Sequence, residues 1–165
     1  LLVVLLIGFK FITPNEIKKF VQFDVILLIA SAFAVGEAMT ESGLAQYIAS
    51  GLTTLATPLG ILGVLVITYI VTNIFTEIIT NSAAAVLMFP IALEVADAMS
   101  IDYMGLIVTV AIAASASFMT PIGYQTNLIV YGPGGYKFSD YLKVGTPLSF
   151  LIMFISCTII YFVWY

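Results

Sequence analysis

Two polar interruptions in an otherwise apolar chain hold the side chains able to do chemistry. One is Thr80-Asn81-Ser82, which closes a stripe of Asn73, Thr76, Glu77, Thr80 and Asn81 at i+3/i+4 spacing, one face of a helix. The other is Met119 to Asn127, MTPIGYQTN, where Pro121 and Gly123 interrupt a helical pattern. The residue types suit ion coordination rather than bond breaking. Helix N-termini attract anions, and unwound carbonyls coordinate Na⁺. Thr80, Asn81, Ser82, Gln125, Thr126 and Asn127 add neutral donors, and no Lys or Arg stands among them. Bound cations would therefore have to balance an anion held there. Glu77 is the one carboxyl group deep in the first arm, and an ionisable residue at membrane depth is by default a functional candidate. Its two readings are a coupling role and a structural hydrogen bond to a neighbouring helix.

Other chemistry is excluded. The chain has no His, so Ser115 and Ser117 cannot belong to a serine-hydrolase triad. Cys157 is the single cysteine, which rules out a disulfide framework and a thiolate–imidazole metal site. Tyr131-Gly-Pro-Gly-Gly-Tyr136 lacks the Lys-Ser/Thr ending of a phosphate loop and reads as a tight exit from the membrane. Glu37 reads as interhelical or interfacial, and Asp24 as a boundary residue. The chain is not expected to be an enzyme.

The elements that position the two interruptions are membrane helices. Of the 165 residues 62% are hydrophobic and 8% charged, against about 25% charged in ordinary soluble domains. Five lysines and nine carboxylates cannot cover a soluble surface of this size, and no basic face exists for nucleic acid. The expected class is an all-α membrane protein. The chain begins at Leu1 in an apolar run with no basic n-region, so it reads as a piece of a longer membrane protein rather than one with a signal peptide. The expected organisation is the end of a span over 1–12, an interfacial helix over 13–20, a span over 24–56, a hairpin over 59–99, a broken span over 103–135 and a last span over 144–165.

Length favours a re-entrant hairpin, with two ordinary crossings joined by a tight turn as the alternative. Its second arm has only Ala83 to Leu93 before Glu94, about 16 Å of helix. Residues 103–136 carry no charge, and as one helix would run about 50 Å against a hydrocarbon core of about 30 Å, so that span must break. Following the crossings puts all five lysines on one side and Glu41, Glu94, Asp97 and Asp102 on the other. The positive-inside rule then makes loops 10–20 and 136–143 cytoplasmic, in a plasma or bacterial inner membrane.

TEIITNSAAAVLMFPIA, followed about twenty residues later by ASASFMTPIGYQTNLIVYGPGGYKFSDYLKVG, resembles the C-terminal half of the divalent-anion/sodium symporter family. AVGEAMTESGLAQYIA resembles the helix before the hairpin there. The resemblance implies one repeat of an inverted-repeat ion-transporter fold, with a re-entrant hairpin and an unwound helix, working as a homodimer. The other repeat would lie in a missing N-terminal half. The family's Ser-Asn-Thr hairpin tip corresponds to Thr80-Asn81-Ser82, with the hydroxyl residues exchanged and both hydroxyls kept. Dicarboxylate carriers of the family read Ala-Thr-Pro-Pro-Asn where this chain has Gly123-Tyr124-Gln125-Thr126-Asn127. The extra donors that replace the Pro pair favour a compact oxyanion such as sulfate.

By residue matching the resemblance implies an anion site of Thr80, Asn81, Ser82, Tyr124, Gln125 and Thr126. It implies a Na⁺ site of Thr76, the Ile79 carbonyl, Asn81, Gly123 and Asn127, with Na⁺ as coupling ion. The expected function is secondary active transport of a divalent anion coupled to Na⁺. A proton-coupled, arsenite- or citrate-type permease, in which Glu77 would matter more, is the alternative. A non-transporting scaffold is a second alternative, but it would not need two polar interruptions at one depth.

Overall fold

The computed structural model describes residues 23–165. The span end expected over 1–12 and the interfacial helix over 13–20 lie outside the described residues. The chain falls into two compact units, Leu1–Ala34 and Val35–Tyr165, and the second carries both interruptions.

Helix α1 is Phe23–Glu41 and α2 is Leu44–Ala56, so the stretch read as one span over 24–56 is two helices. Gly43 separates them at φ 73°, a left-handed conformation that costs a residue without Cβ little. Thr57–Leu59 forms a 3₁₀ turn around Pro58, and Gly60 at φ 66° redirects the chain into α3, Gly60–Ile78. Helix α4, Asn81–Met99, follows after two extended residues, Ile79 and Thr80.

Asp102 caps α5, Tyr103–Ser115, by accepting the Met104 N–H at 2.6 Å. An irregular stretch leads to the short α6, Gln125–Tyr131, and then to α7, Phe138–Trp164. The polar connection expected over 136–143 is therefore mostly helical. Asp140 Oδ2 accepts the Lys137 N–H at 2.8 Å, which closes the first turn and starts α7 before Val144.

Helix α5 is the centre of the packing, against α3, α4 and α7. Its inner face is built from small or branched residues, with Leu106, Val110, Ala113 and Ala114 buried. Small residues let backbones approach closely where lipid supplies no hydrophobic drive between helices. Tyr69, Leu65, Met88, Ile91 and Ile160 fill the rest of the core.

The outside is also apolar. Phe154 is 71% and Phe162 79% exposed on α7. Among the described residues, Leu44–Ile78, Asn81–Met99 and Phe138–Trp164 are long and apolar enough to cross a membrane, and Tyr103–Ser115 is a shorter apolar helix. The protein is an all-α membrane protein.

Candidate functional site

The first interruption sits between α3 and α4. Ile79 is extended at φ −119° and ψ 177°, which turns its carbonyl out of the α3 ladder. Thr80 is the N-cap of α4: its Oγ1 accepts the Ala83 N–H at 3.3 Å and its carbonyl the Ala84 N–H at 2.9 Å. The non-helical tip is thus Ile79-Thr80, and Asn81 and Ser82 begin the first turn of α4.

The second interruption runs over 116–124, earlier than the expected 119–127; Gln125, Thr126 and Asn127 form the first turn of α6. The reason is hydrogen-bond supply. Asn73 Nδ2 on α3 donates to the Ala116 carbonyl at 2.8 Å and to the Ala113 carbonyl at 3.4 Å. Asn127 Nδ2 donates to the Ser117 carbonyl at 2.9 Å and the Thr120 carbonyl at 3.1 Å. Two side-chain amides therefore take the carbonyls that an unwinding helix leaves orphaned. Tyr141 Oη donates to the Asn127 carbonyl at 2.9 Å and ties α7 to the same place.

The two interruptions meet. Thr76 Oγ1 donates to the Ala114 carbonyl at 2.6 Å and lies 2.7 Å from the Asn81 amide. One end of that amide faces Thr76 Oγ1 at 2.7 Å, the Ala114 carbonyl at 3.2 Å and the Gly123 carbonyl at 3.3 Å. The hydrogen-bond pattern puts Nδ2 at that end, where Asn81 donates to the carbonyls. With the amide turned so that Oδ1 lies there, four neutral oxygens would converge, a donor set suited to a hard cation.

Glu77 is 6% exposed. Its Oε1 accepts the Met119 N–H at 2.9 Å and its main-chain carbonyl accepts from Thr120 Oγ1 at 3.2 Å. Thr120 Oγ1 in turn accepts the Gly123 N–H at 3.0 Å, and Ser117 Oγ donates to the Thr76 carbonyl at 3.3 Å.

Of the residues singled out for Na⁺, the structure brings Thr76, Asn81 and Gly123 together. Ile79 lies beside them in the chain, at the end of α3. Asn127 does not join them: its amide clamps the Ser117 and Thr120 carbonyls. Of those singled out for an anion, Thr80, Ser82, Tyr124, Gln125 and Thr126 are exposed, and among the described residues no hydrogen bond links them to one another. Glu77 does bond a neighbouring segment, the structural half of its expected behaviour. Sequence reasoning passed over Ser117, Thr120 and Tyr141, and placed Asn73 only on the polar stripe. That stripe was the available signal, since each of its buried members reaches toward the second interruption. Cys157 is buried and free.

An integral membrane protein that gathers its polar groups at two helix interruptions has the architecture of a transporter. Residues 1–112 match the citrate transporter family, and the chain belongs to it. It is 42% identical over 139 residues to an uncharacterized transporter of Synechocystis sp., covering 84% of this chain and 23% of that protein. It is 37% identical over 148 residues to a Chlamydomonas reinhardtii protein named for a response to sulfur deprivation, covering 90% of this chain and 25% of that one. It is 35% identical over 143 residues to sodium/sulfate cotransporter 1 of the same alga, covering 86% of this chain and 16% of that protein. The chain spans a quarter or less of the length of these curated relatives. The sodium/sulfate name bears out the resemblance to divalent-anion/sodium symporters.

Proposed function

We propose that this segment is the C-terminal repeat of a secondary active symporter that carries a divalent oxyanion, sulfate, together with Na⁺. The observation that carries the reading is the convergence of Thr76, Asn81 and the Ala114 and Gly123 carbonyls where the two interruptions meet. These would hold one Na⁺, with the Ile79 carbonyl at hand. A bound Na⁺ supplies the positive charge that a lysine-free anion site lacks. Thr80, Asn81, Ser82, Tyr124, Gln125 and Thr126 would face the anion from one side, and the second repeat and its hairpin from the other. The working unit is a homodimer, with segments 10–20 and 136–143 on the cytoplasmic side.

Sulfate is favoured because Gln125 and Thr126 would add an amide and a hydroxyl to the hydroxyls of Thr80 and Ser82. Four acceptor oxygens on a small, doubly charged ion use several short converging donors. An ion that leaves such donors unpaired is rejected. The family's citrate name and the sodium/sulfate name of a relative point to different anions, so citrate is the second reading.

Uptake of ³⁵S-sulfate, ¹⁴C-succinate and ¹⁴C-citrate by the full-length protein, with and without Na⁺, tests both. Sulfate uptake that needs Na⁺ and exceeds the other two is expected. Succinate or citrate uptake equal to or above sulfate overturns the substrate, and uptake indifferent to Na⁺ overturns the coupling.

Although both arms are long enough to cross, the hairpin 59–99 is proposed to be re-entrant, with the exposed Thr80 at its tip covered by the second repeat. Single cysteines at Ser82 and Ala83, in a Cys157→Ser background, are expected to react with a membrane-impermeant thiol reagent at rates that Na⁺ and sulfate change. Full labelling from the cytoplasm regardless of either would make the pair two ordinary crossings.

A further inference from the structure

Behind Gly123, apart from the Asn81 cluster, three more oxygens crowd one point. A Cβ on Gly123 would stand 2.8 Å from Glu77 Oε2 and 3.0 Å from Thr120 Oγ1, with Ser117 Oγ closer still. The protons of the two hydroxyls are already committed. Ser117 Oγ donates to the Thr76 carbonyl and Thr120 Oγ1 to the Glu77 carbonyl. Thr120 Oγ1 also accepts the Gly123 N–H at 3.0 Å, so what either hydroxyl has left to offer Glu77 is lone pairs and not a proton. Glu77 Oε2 is buried and has no hydrogen-bond partner, while Oε1 is taken by the Met119 N–H. Ser117 is 2% exposed, so bulk water does not complete the set.

A buried oxygen left unpaired is costly, and several facing one another without a proton between them repel. We infer that Glu77 Oε2, Ser117 Oγ and Thr120 Oγ1 form a second Na⁺ site, next to the Thr76–Asn81–Gly123 site and separate from it. The oxygens are hard donors, and one brings the charge that the first site lacks. Gly123 lies between the two sites: its carbonyl faces Asn81, and its lack of a side chain is what lets the three oxygens approach one another. The inference rests on the sodium-coupled reading above.

Equilibrium ²²Na⁺ binding to the purified full-length transporter, without anion, tests it. Glu77→Gln keeps an acceptor for the Met119 N–H and nearly the same volume. Ser117→Ala deletes one oxygen together with its hydrogen bond to the Thr76 carbonyl, so its melting temperature is measured alongside. Both are expected to bind one Na⁺ fewer per chain than the unmodified protein, with the Na⁺ half-saturation of sulfate uptake raised at least about tenfold. Asn81→Ala is expected to lose a different ion, so that Glu77→Gln/Asn81→Ala loses both. Unchanged Na⁺ stoichiometry in Glu77→Gln and Ser117→Ala overturns the second site and leaves sodium coupling standing; a proton in that place would give this result. Absence of Na⁺ binding by the unmodified protein overturns the coupling itself and the second site with it.

Discussion

Asn81→Ala is expected to abolish Na⁺-coupled uptake while the protein still folds and inserts. The side chain stands where both interruptions meet, within 3.3 Å of Thr76 Oγ1 and the Ala114 and Gly123 carbonyls. It serves the fold only through that contact. Asn81 lies in the first turn of α4, where Thr80 already supplies the cap. Alanine is a good helix former there, so α4 keeps its local stability. A hydrogen bond to a charged group contributes about 1.5–3 kcal/mol, and its loss weakens binding by about ten- to a hundredfold or more. Because the amide is proposed to serve cation and anion, the two losses compound. Uptake at matched membrane expression, with a melting curve in detergent, checks the result. Uptake near that of the unmodified protein would remove Asn81 from the site.

Gly145→Val should damage both stability and transport, although residue 145 touches neither proposed ion. Helix α7 crosses the second interruption so closely that a Cβ at Gly145 would lie 2.5 Å from the Phe118 carbonyl carbon and 2.9 Å from Met119 Cα. These are backbone atoms, so no rotamer change relieves the clash. Either α7 moves away or the interruption is pushed toward α3. Overpacking of this kind costs about 1–3 kcal/mol. The segment that would shift holds the Met119 N–H bonded to Glu77. A lower melting temperature and weaker Na⁺ dependence are both expected. Gly51→Ala is the control, since a Cβ there meets nothing within 4 Å and alanine favours the helix interior, so it should lower neither. Wild-type behaviour of Gly145→Val would mean that α7 does not brace the interruption.

The second interruption separates what is legible in the sequence from what is not. Pro121 and Gly123 announce that a helix must break, and they do so locally. They do not say how far the unwinding spreads. Asn73, which lies 43 residues from Ala116, decides that by taking the carbonyl that α5 would otherwise have kept. Asn127 does the same from the far side, so its amide nitrogen is held by the Ser117 and Thr120 carbonyls and not beside Thr76 and Asn81. The first interruption was easier to find. Thr80 before Asn81-Ser82-Ala83 is a local cap, and the tip falls within a residue of its expected place. Through Ser42-Gly43 the pattern becomes less apolar but still reads as one span, and the left-handed glycine there divides α1 from α2.

By itself the sequence determined that this is a helical membrane protein, that two polar stretches must break its helices, and which residue types gather there. Those properties follow from charge count, span length and helix breaking, which act locally. Only the tertiary structure decided which polar atoms face each other: Thr76 the Ala114 carbonyl, Asn81 the Gly123 carbonyl, Glu77 the Met119 N–H. These partners lie about forty residues apart along the chain. Their pairing depends on how closely small-residue helices cross, and neither composition nor spacing encodes that distance.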